Sequence, residues 1–192
     1  MSKNKMITVF NKKGGTGKTS LSFNLAKDLD FPLLSNDDSV IEKIYPGKAK
    51  ILDKIKLIEH DVFYDLGGFI DEGIIEVFKT SSLIIVPTLL DINSIKRTIN
   101  SIMEINKYNN KIIVVINRVE KKKLNKYELS INALEGLGKE LFFIRESEAI
   151  TNSIHLGKTI SQLYIETPLA AHTYKGIYKD YEKLLNRVKG DK

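Results

Sequence analysis

A glycine-rich segment near the amino terminus limits what this chain can fold into more than any other feature. It follows the apolar run Met6–Phe10, which we predict to be a buried strand, and precedes Thr19–Leu29, which we predict to be a helix. Glycines allow backbone N–H groups to approach an anion, and the helix adds the positive end of its dipole. A loop in this position predicts phosphate binding by the following residues: Lys13, Gly14, Gly15, Thr16, Gly17, Lys18, Thr19 and Ser20.

Two side chains of this segment have defined roles in phosphate-binding loops. Lys18 would contact the β- and γ-phosphates of a nucleotide, and the hydroxyl of Thr19 would ligate Mg²⁺. The usual pattern also requires a glycine at the position of Lys12, so this chain departs from it at one residue. The strand–loop–helix context still predicts a nucleotide site.

Short apolar runs alternate with helical patterns along the rest of the chain. The runs are continuous rather than interrupted by polar residues, which indicates strands buried on both faces. Their alternation with helices predicts an α/β fold, a doubly wound and mostly parallel sheet with helices on both faces, in a single domain over residues 1–192. Residues 36–60 show no regular pattern. Further strands are predicted at Phe31–Ser35, Val62–Leu66, Leu83–Pro87, Ile112–Asn117 and Leu141–Ile144, and further helices at Ile70–Lys79, Asn93–Tyr108, within Lys126–Leu137, and from Pro168 to Val188.

A carboxylate lies near the end of the third predicted strand. In an open parallel sheet, ligands bind beyond the carboxyl ends of the strands, where Asp65 would lie close to the glycine-rich loop. A carboxylate in this position is the Walker B arrangement and would hold Mg²⁺ through a water molecule. The Gly67-Gly68 pair that follows fits a backbone close to the terminal phosphate.

The glycine-rich loop also resembles a family motif. Residues 13–19 read KGGTGKT, which is similar to the KGGxGKT of the ParA/MinD ATPases, P-loop NTPases with a deviant Walker A loop. The resemblance implies ATP and Mg²⁺ as ligands and ATP hydrolysis as the activity, with Lys13 and Lys18 as catalytic residues. It also implies a homodimer that forms with ATP bound, in which Lys13 reaches the other subunit's phosphates. Such a cation would stabilise charge on the transferred phosphate, as an arginine finger does.

The resemblance extends to two other strand ends. After the second strand the family has D-x-D-P-Q, and matching residues 33–38 to it assigns the orientation of the attacking water, and a water-mediated contact with Mg²⁺, to Asp38. Asn36 replaces the first Asp and the Pro-Gln pair is missing, so Asp37 remains an alternative. Asn117 and Arg118 resemble the family's base-recognition position, although a turn or helix-capping role for the asparagine also fits.

Positive charge is concentrated in the second half of the chain. Residues 111–192 carry 15 Lys and Arg against 10 Asp and Glu, and the whole chain has a net charge of +6. Such an excess fits an anionic partner such as nucleic acid or a lipid surface, and also a merely solvated surface. The candidate DNA-binding residues follow the fifth strand or recur every four residues along the last helix: Lys121, Lys122, Lys123, Lys126, Lys175, Lys179, Lys183 and Arg187.

These features together predict a ParA-like ATPase for DNA partition, cytoplasmic and associated with the nucleoid when ATP is bound. Its ATP-bound homodimer would bind DNA without sequence preference, and a ParB-like centromere-binding protein would stimulate hydrolysis. The final residues are polar rather than bulky and apolar, so we expect no membrane partner.

Two alternatives to a partition ATPase remain open. One is a MinD-like, membrane-cycling positioning ATPase. The other is a dethiobiotin-synthetase-like metabolic enzyme on the same fold, in which Lys13 would have no dimer role. A nitrogenase-iron-protein-like reductase is excluded because the chain contains no cysteine to hold an iron–sulfur cluster.

Overall fold

The computed structural model describes residues 4–68 and 70–190, and its centre is a seven-stranded sheet. The strands are β1 Met6–Phe10, β2 Leu33–Ser35, β3 Ala49–Ile51, β4 Val62–Leu66, β5 Leu83–Thr88, β6 Ile112–Val119 and β7 Glu140–Arg145. Their order across the sheet is β3-β2-β4-β1-β5-β6-β7, and all of these neighbours pair in parallel. The parallel sheet confirms the predicted α/β fold.

Helices connect the strands and cover both faces of the sheet. They are α1 Lys18–Asp28, α2 Ile41–Ile44, α3 Glu72–Thr80, α4 Ile92–Ile105, α5 Glu128–Glu135, α6 Glu148–Leu156, α7 Ile160–Ile165 and α8 Pro168–Lys189, with a 3₁₀ helix at Lys121–Tyr127. None of the helices in the described part of the chain is long and apolar enough to cross a membrane.

Alternate residues of the central strands pack into separate cores on the two faces. In β1, Ile7 and Val9 belong to the same core as Tyr181 of α8, whereas Phe10 belongs to the core on the other face. There the Phe10 ring meets Phe78 of α3 edge to face, with ring centres 5.0 Å apart. Burial on both faces explains why the strands are continuous apolar runs in the sequence.

The structure differs from the predicted element pattern in the shortest elements. Residues 36–60, which show no pattern in the sequence, contain β3 and α2. The three residues of β3 lie at the edge of the sheet, where two are partly buried and Lys50 is exposed, so they give no apolar run. The helix predicted within Lys126–Leu137 is split into the 3₁₀ helix and α5, and α6 and α7 were not predicted.

Five of the helices that follow α1 begin with a side-chain cap, whereas α1, like α2 and α5, has none. The helices α3, α4, α6, α7 and α8 each begin with a side chain that accepts a hydrogen bond from a backbone N–H of the first turn, at Asp71, Asp91, Ser147, Thr159 and Thr167. Helix α1 begins instead after Gly17, which has no side chain to do so. Its first N–H groups therefore remain available to an anion.

Candidate nucleotide-binding site

The loop between β1 and α1 surrounds a buried lysine. The side chain of Lys18 is only 8% exposed, and its ammonium lies 3.5 Å from the carbonyl oxygen of Lys13. Gly67, after β4, lies directly against it, since a Cβ at Gly67 would be 3.1 Å from Cε of Lys18. The ammonium of Lys18 therefore lies between the phosphate-binding loop and the segment after Asp65, and its contact with a phosphate stays a prediction.

The loop is closed on the side of β6 by a contact that only glycine allows. Asn117 donates a hydrogen bond from Nδ2 to the carbonyl oxygen of Thr16 at 2.7 Å. Gly17 has a φ of 89°, and a Cβ there would come within 2.7 Å of the same Nδ2. The sequence predicts that Asn117 recognises a base. In the structure its amide donates one hydrogen bond to the loop, and the contact with a base stays a prediction.

A buried asparagine fixes the start of the loop, and the sequence analysis did not single it out. Asn11 is fully buried and donates from Nδ2 to the carbonyl oxygen of Pro87 at 2.8 Å and to Oγ1 of Thr98 at 2.9 Å. Its Oδ1 accepts a hydrogen bond from the backbone N–H of Lys13 at 2.9 Å. An amide directly after an apolar strand was the only sequence signal. Asn11 thus ties the loop to β5 and α4.

The two lysines at the start of the loop have different surroundings. Lys12, at the position where the usual pattern has glycine, forms an ion pair with Glu104 of α4 at 2.6 Å. Lys13 is partly buried near the start of the same helix. The pKa of the Asp91 carboxyl lies below its ordinary value because of hydrogen bonds from Ser94 and, to a smaller degree, the charge of Lys13. Lys12 is thus paired with Glu104, whereas the charge of Lys13 acts on Asp91, which precedes α4.

Asp65 is the buried carboxylate of the site. Burial raises its pKa to about 6, although the hydroxyl of Thr19, the ammonium of Lys18 and the hydroxyl of Ser22 lower it in part. Ser22 donates a hydrogen bond to Oδ1 at 3.2 Å, while Oδ2 is buried and has no hydrogen-bond partner among the described residues. A buried oxygen without a partner is costly unless a ligand completes it.

The donor set around Asp65 fits a hard cation. A carboxylate oxygen and the hydroxyl of Thr19 are oxygen ligands of the type that Mg²⁺ prefers, and Mg²⁺ takes its remaining ligands from water and substrate phosphates. Within the described residues there is no group of three or more His, Asp or Glu side chains that could hold a metal.

The two candidate water-orienting carboxylates after β2 differ in position. Oδ2 of Asp37 would be 3.7 Å from a Cβ at Gly67, and its charge contributes to the raised pKa of Asp65. Both side chains are exposed, and Asp38 follows Asp37 directly in the chain. Of the two, Asp37 is therefore the carboxylate that approaches Gly67, which also lies against Lys18. The assignment to Asp38 came from matching a motif and remains a prediction.

A small apolar cavity lies beside the loop on the side predicted for the base. It has a volume of about 40 Å³ and is lined by Gly17, Ser20 and Asn117 together with apolar side chains such as Ile144 and Ile150. Arg118 also lines it and adopts a φ of 54° at an irregularity in the pairing of β6 with β7. The structure thus brings the predicted base-side residues to the edge that carries the loop.

The predicted DNA-binding residues lie on the 3₁₀ helix and on α8. A groove beside β7 is lined by Leu124 from the first and Lys183 from the second, so the two basic segments flank the same edge of the sheet. Two of the cations already form ion pairs at 2.7 Å, Lys123 with Glu120 and Arg187 with Glu140. The side chain of Lys121 lies outside the described part. The other candidates are exposed: Lys122, Lys126, Lys175, Lys179 and Lys183.

Comparison with protein families gives one match that spans most of the chain. Residues 7–160 match the family model for the CobQ/CobB/MinD/ParA nucleotide binding domain. The matched region contains the loop, Asp65 and Asn117. No curated protein matches the chain by sequence.

Several solved structures share the fold at low sequence identity. McdA from Cyanothece, as a variant in complex with ATP, has a TM-score of 0.68 and 14% identity, covering 100% of this chain and 98% of its own. A protein described as a plasmid partition protein from Borrelia burgdorferi B31, bound to AMPPNP, has a TM-score of 0.65 and 14% identity, with 94% and 99% coverage. The septum site-determining protein MinD from Pyrococcus horikoshii OT3, with Mg-ADP, has a TM-score of 0.52 and 16% identity, with 96% and 98% coverage.

Proposed function

The chain belongs to the CobQ/CobB/MinD/ParA family of nucleotide-binding domains, and from this premise we propose that it is a ParA-like ATPase for DNA partition. The observation that carries the proposal is that the two lysines of the motif have different surroundings. Lys18 is buried beside Asp65 and influences its pKa, whereas Lys13 lies near Asp91 at the exposed start of α4. The chain thus has one cation for its own nucleotide and a second that a partner subunit can use.

The chain's own residues suffice for binding and orienting ATP. The open N–H groups at the start of α1 and the ammonium of Lys18 would bind the phosphates, and Asp65 and Thr19 would hold Mg²⁺. When bound, Mg²⁺ neutralises charge on the phosphate oxygens. The turn that bears Asp37 and Asp38 would orient the attacking water. In an ATP-bound homodimer, Lys13 of each subunit would stabilise the charge that develops on the other subunit's phosphate.

Dimer formation with ATP would make this ATPase a switch for DNA binding. Two subunits present the basic 3₁₀ helix and α8 twice, and the number of phosphate contacts governs nonspecific affinity. A ParB-like partner that stimulates hydrolysis would then release the protein from the nucleoid. The plasmid partition protein that shares the fold supports this assignment, as does the basic excess of the second half of the chain.

We expect DNA retention to depend on the nucleotide. With a non-hydrolysable ATP analogue and Mg²⁺, the protein should be retained on random-sequence DNA, because the dimer doubles the phosphate contacts. With ADP it should elute. A DNA-column or electrophoretic mobility assay at fixed salt measures this directly. Equal retention with both nucleotides, or retention with neither, would contradict the switch. Binding to liposomes but not to DNA would favour the MinD-like alternative.

Among the basic residues, we expect the exposed lysines of α8 to contact DNA. The double variant Lys175→Ala/Lys179→Ala should reduce the slope of log affinity against log salt by about 0.9 per lost phosphate contact. The matched control is Lys79→Ala/Lys158→Ala, which removes the same charge from side chains paired with Glu76 and Glu166, outside the candidate set. Fluorescence anisotropy over a salt series gives both slopes. Identical slopes for the two variants would contradict the role of α8.

A further inference from the structure

An asparagine side chain joins the ends of two neighbouring strands at the nucleotide edge. β2 and β4 pair in parallel with Ser35 opposite Asp65, and Asn36 and Gly67 lie just beyond this pair. Asn36 donates a hydrogen bond from Nδ2 to the carbonyl oxygen of Gly67 at 3.1 Å. Its Oδ1 accepts one from the backbone N–H of Gly67 at 3.0 Å. We call this pair of bonds the Asn36 clasp.

The clasp depends on the amide group. A side-chain amide offers a donor and an acceptor side by side, which matches the N–H and C=O of a single residue. An ionised carboxylate accepts only, so aspartate at this position could keep the bond from the Gly67 N–H but not the bond to its carbonyl. The D-x-D-P-Q motif of the family that this chain resembles has aspartate at this position. This chain has Asn36 instead, and asparagine makes both bonds.

The residue held by the clasp contacts the reactive side chains. A Cβ at Gly67 would be 3.1 Å from Cε and 3.3 Å from Nζ of Lys18, and 3.7 Å from Oδ2 of Asp37. Gly67 therefore lies between the buried ammonium and the carboxylate. Asp37 is held in turn through its backbone N–H, which donates to Oγ of Ser35 at 3.0 Å. A shift of the Gly67 backbone would change the spacing between Lys18 and the turn that carries Asp37 and Asp38.

We propose that Asn36 is a positioning residue for phosphoryl transfer. It holds the backbone at Gly67 so that Lys18 and the Asp37–Asp38 turn face the same terminal phosphate. The proposal rests on the ATPase function proposed above. Asn36 acts through Gly67 and not on the nucleotide itself. Because the first turn of α1 and Lys18 bind phosphate without it, loss of the clasp should affect the chemical step more than nucleotide affinity.

The test compares two variants that remove different parts of the clasp. Asn36→Ala removes both bonds, and Asn36→Asp keeps the accepting half. The matched control is Asn132→Ala, an exposed asparagine on α5. For each protein we would measure kcat and KM for ATP, the melting temperature, the affinity for a non-hydrolysable ATP analogue, and the hydrogen exchange of the Gly67 amide by NMR.

Asn36→Ala should lower kcat on the order of 100-fold, as expected for a misplacement of about 1 Å, with little change in KM or analogue affinity. Its Gly67 amide should exchange faster than in the wild type. In Asn36→Asp the Gly67 amide should stay protected, and kcat should recover only in part. Asn132→Ala should match the wild type in every measurement.

Three results would overturn the proposal. The first is an unchanged kcat in Asn36→Ala. The second is a parallel loss of kcat, analogue affinity and melting temperature, which would indicate a purely structural role. The third is full wild-type kcat in Asn36→Asp, which would make the donated bond dispensable. If the wild-type protein showed no ATP turnover, the proposed function would be refuted instead. The Gly67 exchange rates would then test the clasp alone, and equal rates in Asn36→Ala and wild type would overturn it.

Discussion

Replacing Lys13 by glutamine should reduce ATP turnover by the dimer on the order of 10³-fold and leave ATP binding by each subunit nearly unchanged. A cation supplied by a partner subunit contributes 10³–10⁵-fold to phosphoryl transfer in related chemistry, so about 10³-fold is the low end. Binding should survive because Lys18 and the open start of α1 remain in place. Glutamine keeps much of the length and hydrogen-bonding capacity of lysine and removes the charge.

The neighbouring lysine supplies the matched control for this experiment. Lys12→Gln removes the same charge one residue away, from a side chain that is paired with Glu104 and directed to α4. Its turnover should stay within about threefold of the wild type, because an ion pair that is partly exposed contributes little. Steady-state hydrolysis with and without DNA, together with the mass of the ATP-bound species, distinguishes the two variants. Turnover by Lys13→Gln at the wild-type rate would favour the metabolic-enzyme alternative, in which this lysine has no dimer role.

The parts of the fold and site that the sequence predicts are those set by local chemistry. The phosphate-binding loop follows from glycine spacing between a strand and a helix, and the sheet follows from continuous apolar runs. Asp65 follows from its place near a strand end. In each case the residues that define the feature are adjacent in the sequence, so no knowledge of distant contacts is needed.

The parts that were missed depend on contacts between distant segments. Asn11 fixes the loop through Pro87 and Thr98, which are far from it in the chain, and one asparagine after a strand gives no hint of such partners. The same holds for Asn36, whose role appears only when β2 pairs with β4 and brings Gly67 beside it. The edge strand β3 was missed for another reason, since two partly buried residues on either side of the exposed Lys50 form no recognisable apolar pattern.

The choice between Asp37 and Asp38 illustrates a third limit. Two adjacent carboxylates follow the strand, and a shift of one residue in the motif match exchanges their predicted roles. Motif matching selects Asp38, whereas contact with Gly67 and the effect on the Asp65 pKa distinguish Asp37. Separate Asn substitutions at each position resolve this within the same kinetic series.

Replacing Asp65 by asparagine should remove a pH-dependent cost of folding from the nucleotide-free protein. Its folded pKa of about 6 lies above the ordinary value of 3.8, so the folded state holds its proton more tightly than the unfolded state does. The stability associated with this group is therefore present at low pH and lost as the pH rises from about 4 through 6. A shift of this size corresponds to about 3 kcal/mol in the free energy of unfolding.

Urea denaturation of metal-free protein between pH 5 and 8 measures the difference between wild type and Asp65→Asn. The free energy of unfolding of the variant should increase relative to that of the wild type as the pH rises. A pH-independent difference for Asp65→Asn would show that Oδ2 is solvated in solution. The gain in stability should come with a loss of function, because the variant cannot supply the carboxylate that Mg²⁺ needs. Added Mg²⁺ and ATP analogue should raise the melting temperature of the wild type and leave that of Asp65→Asn nearly unchanged. The reason is that the buried Asp65 carboxylate, which destabilises the ligand-free protein, is also the group that would bind the cation.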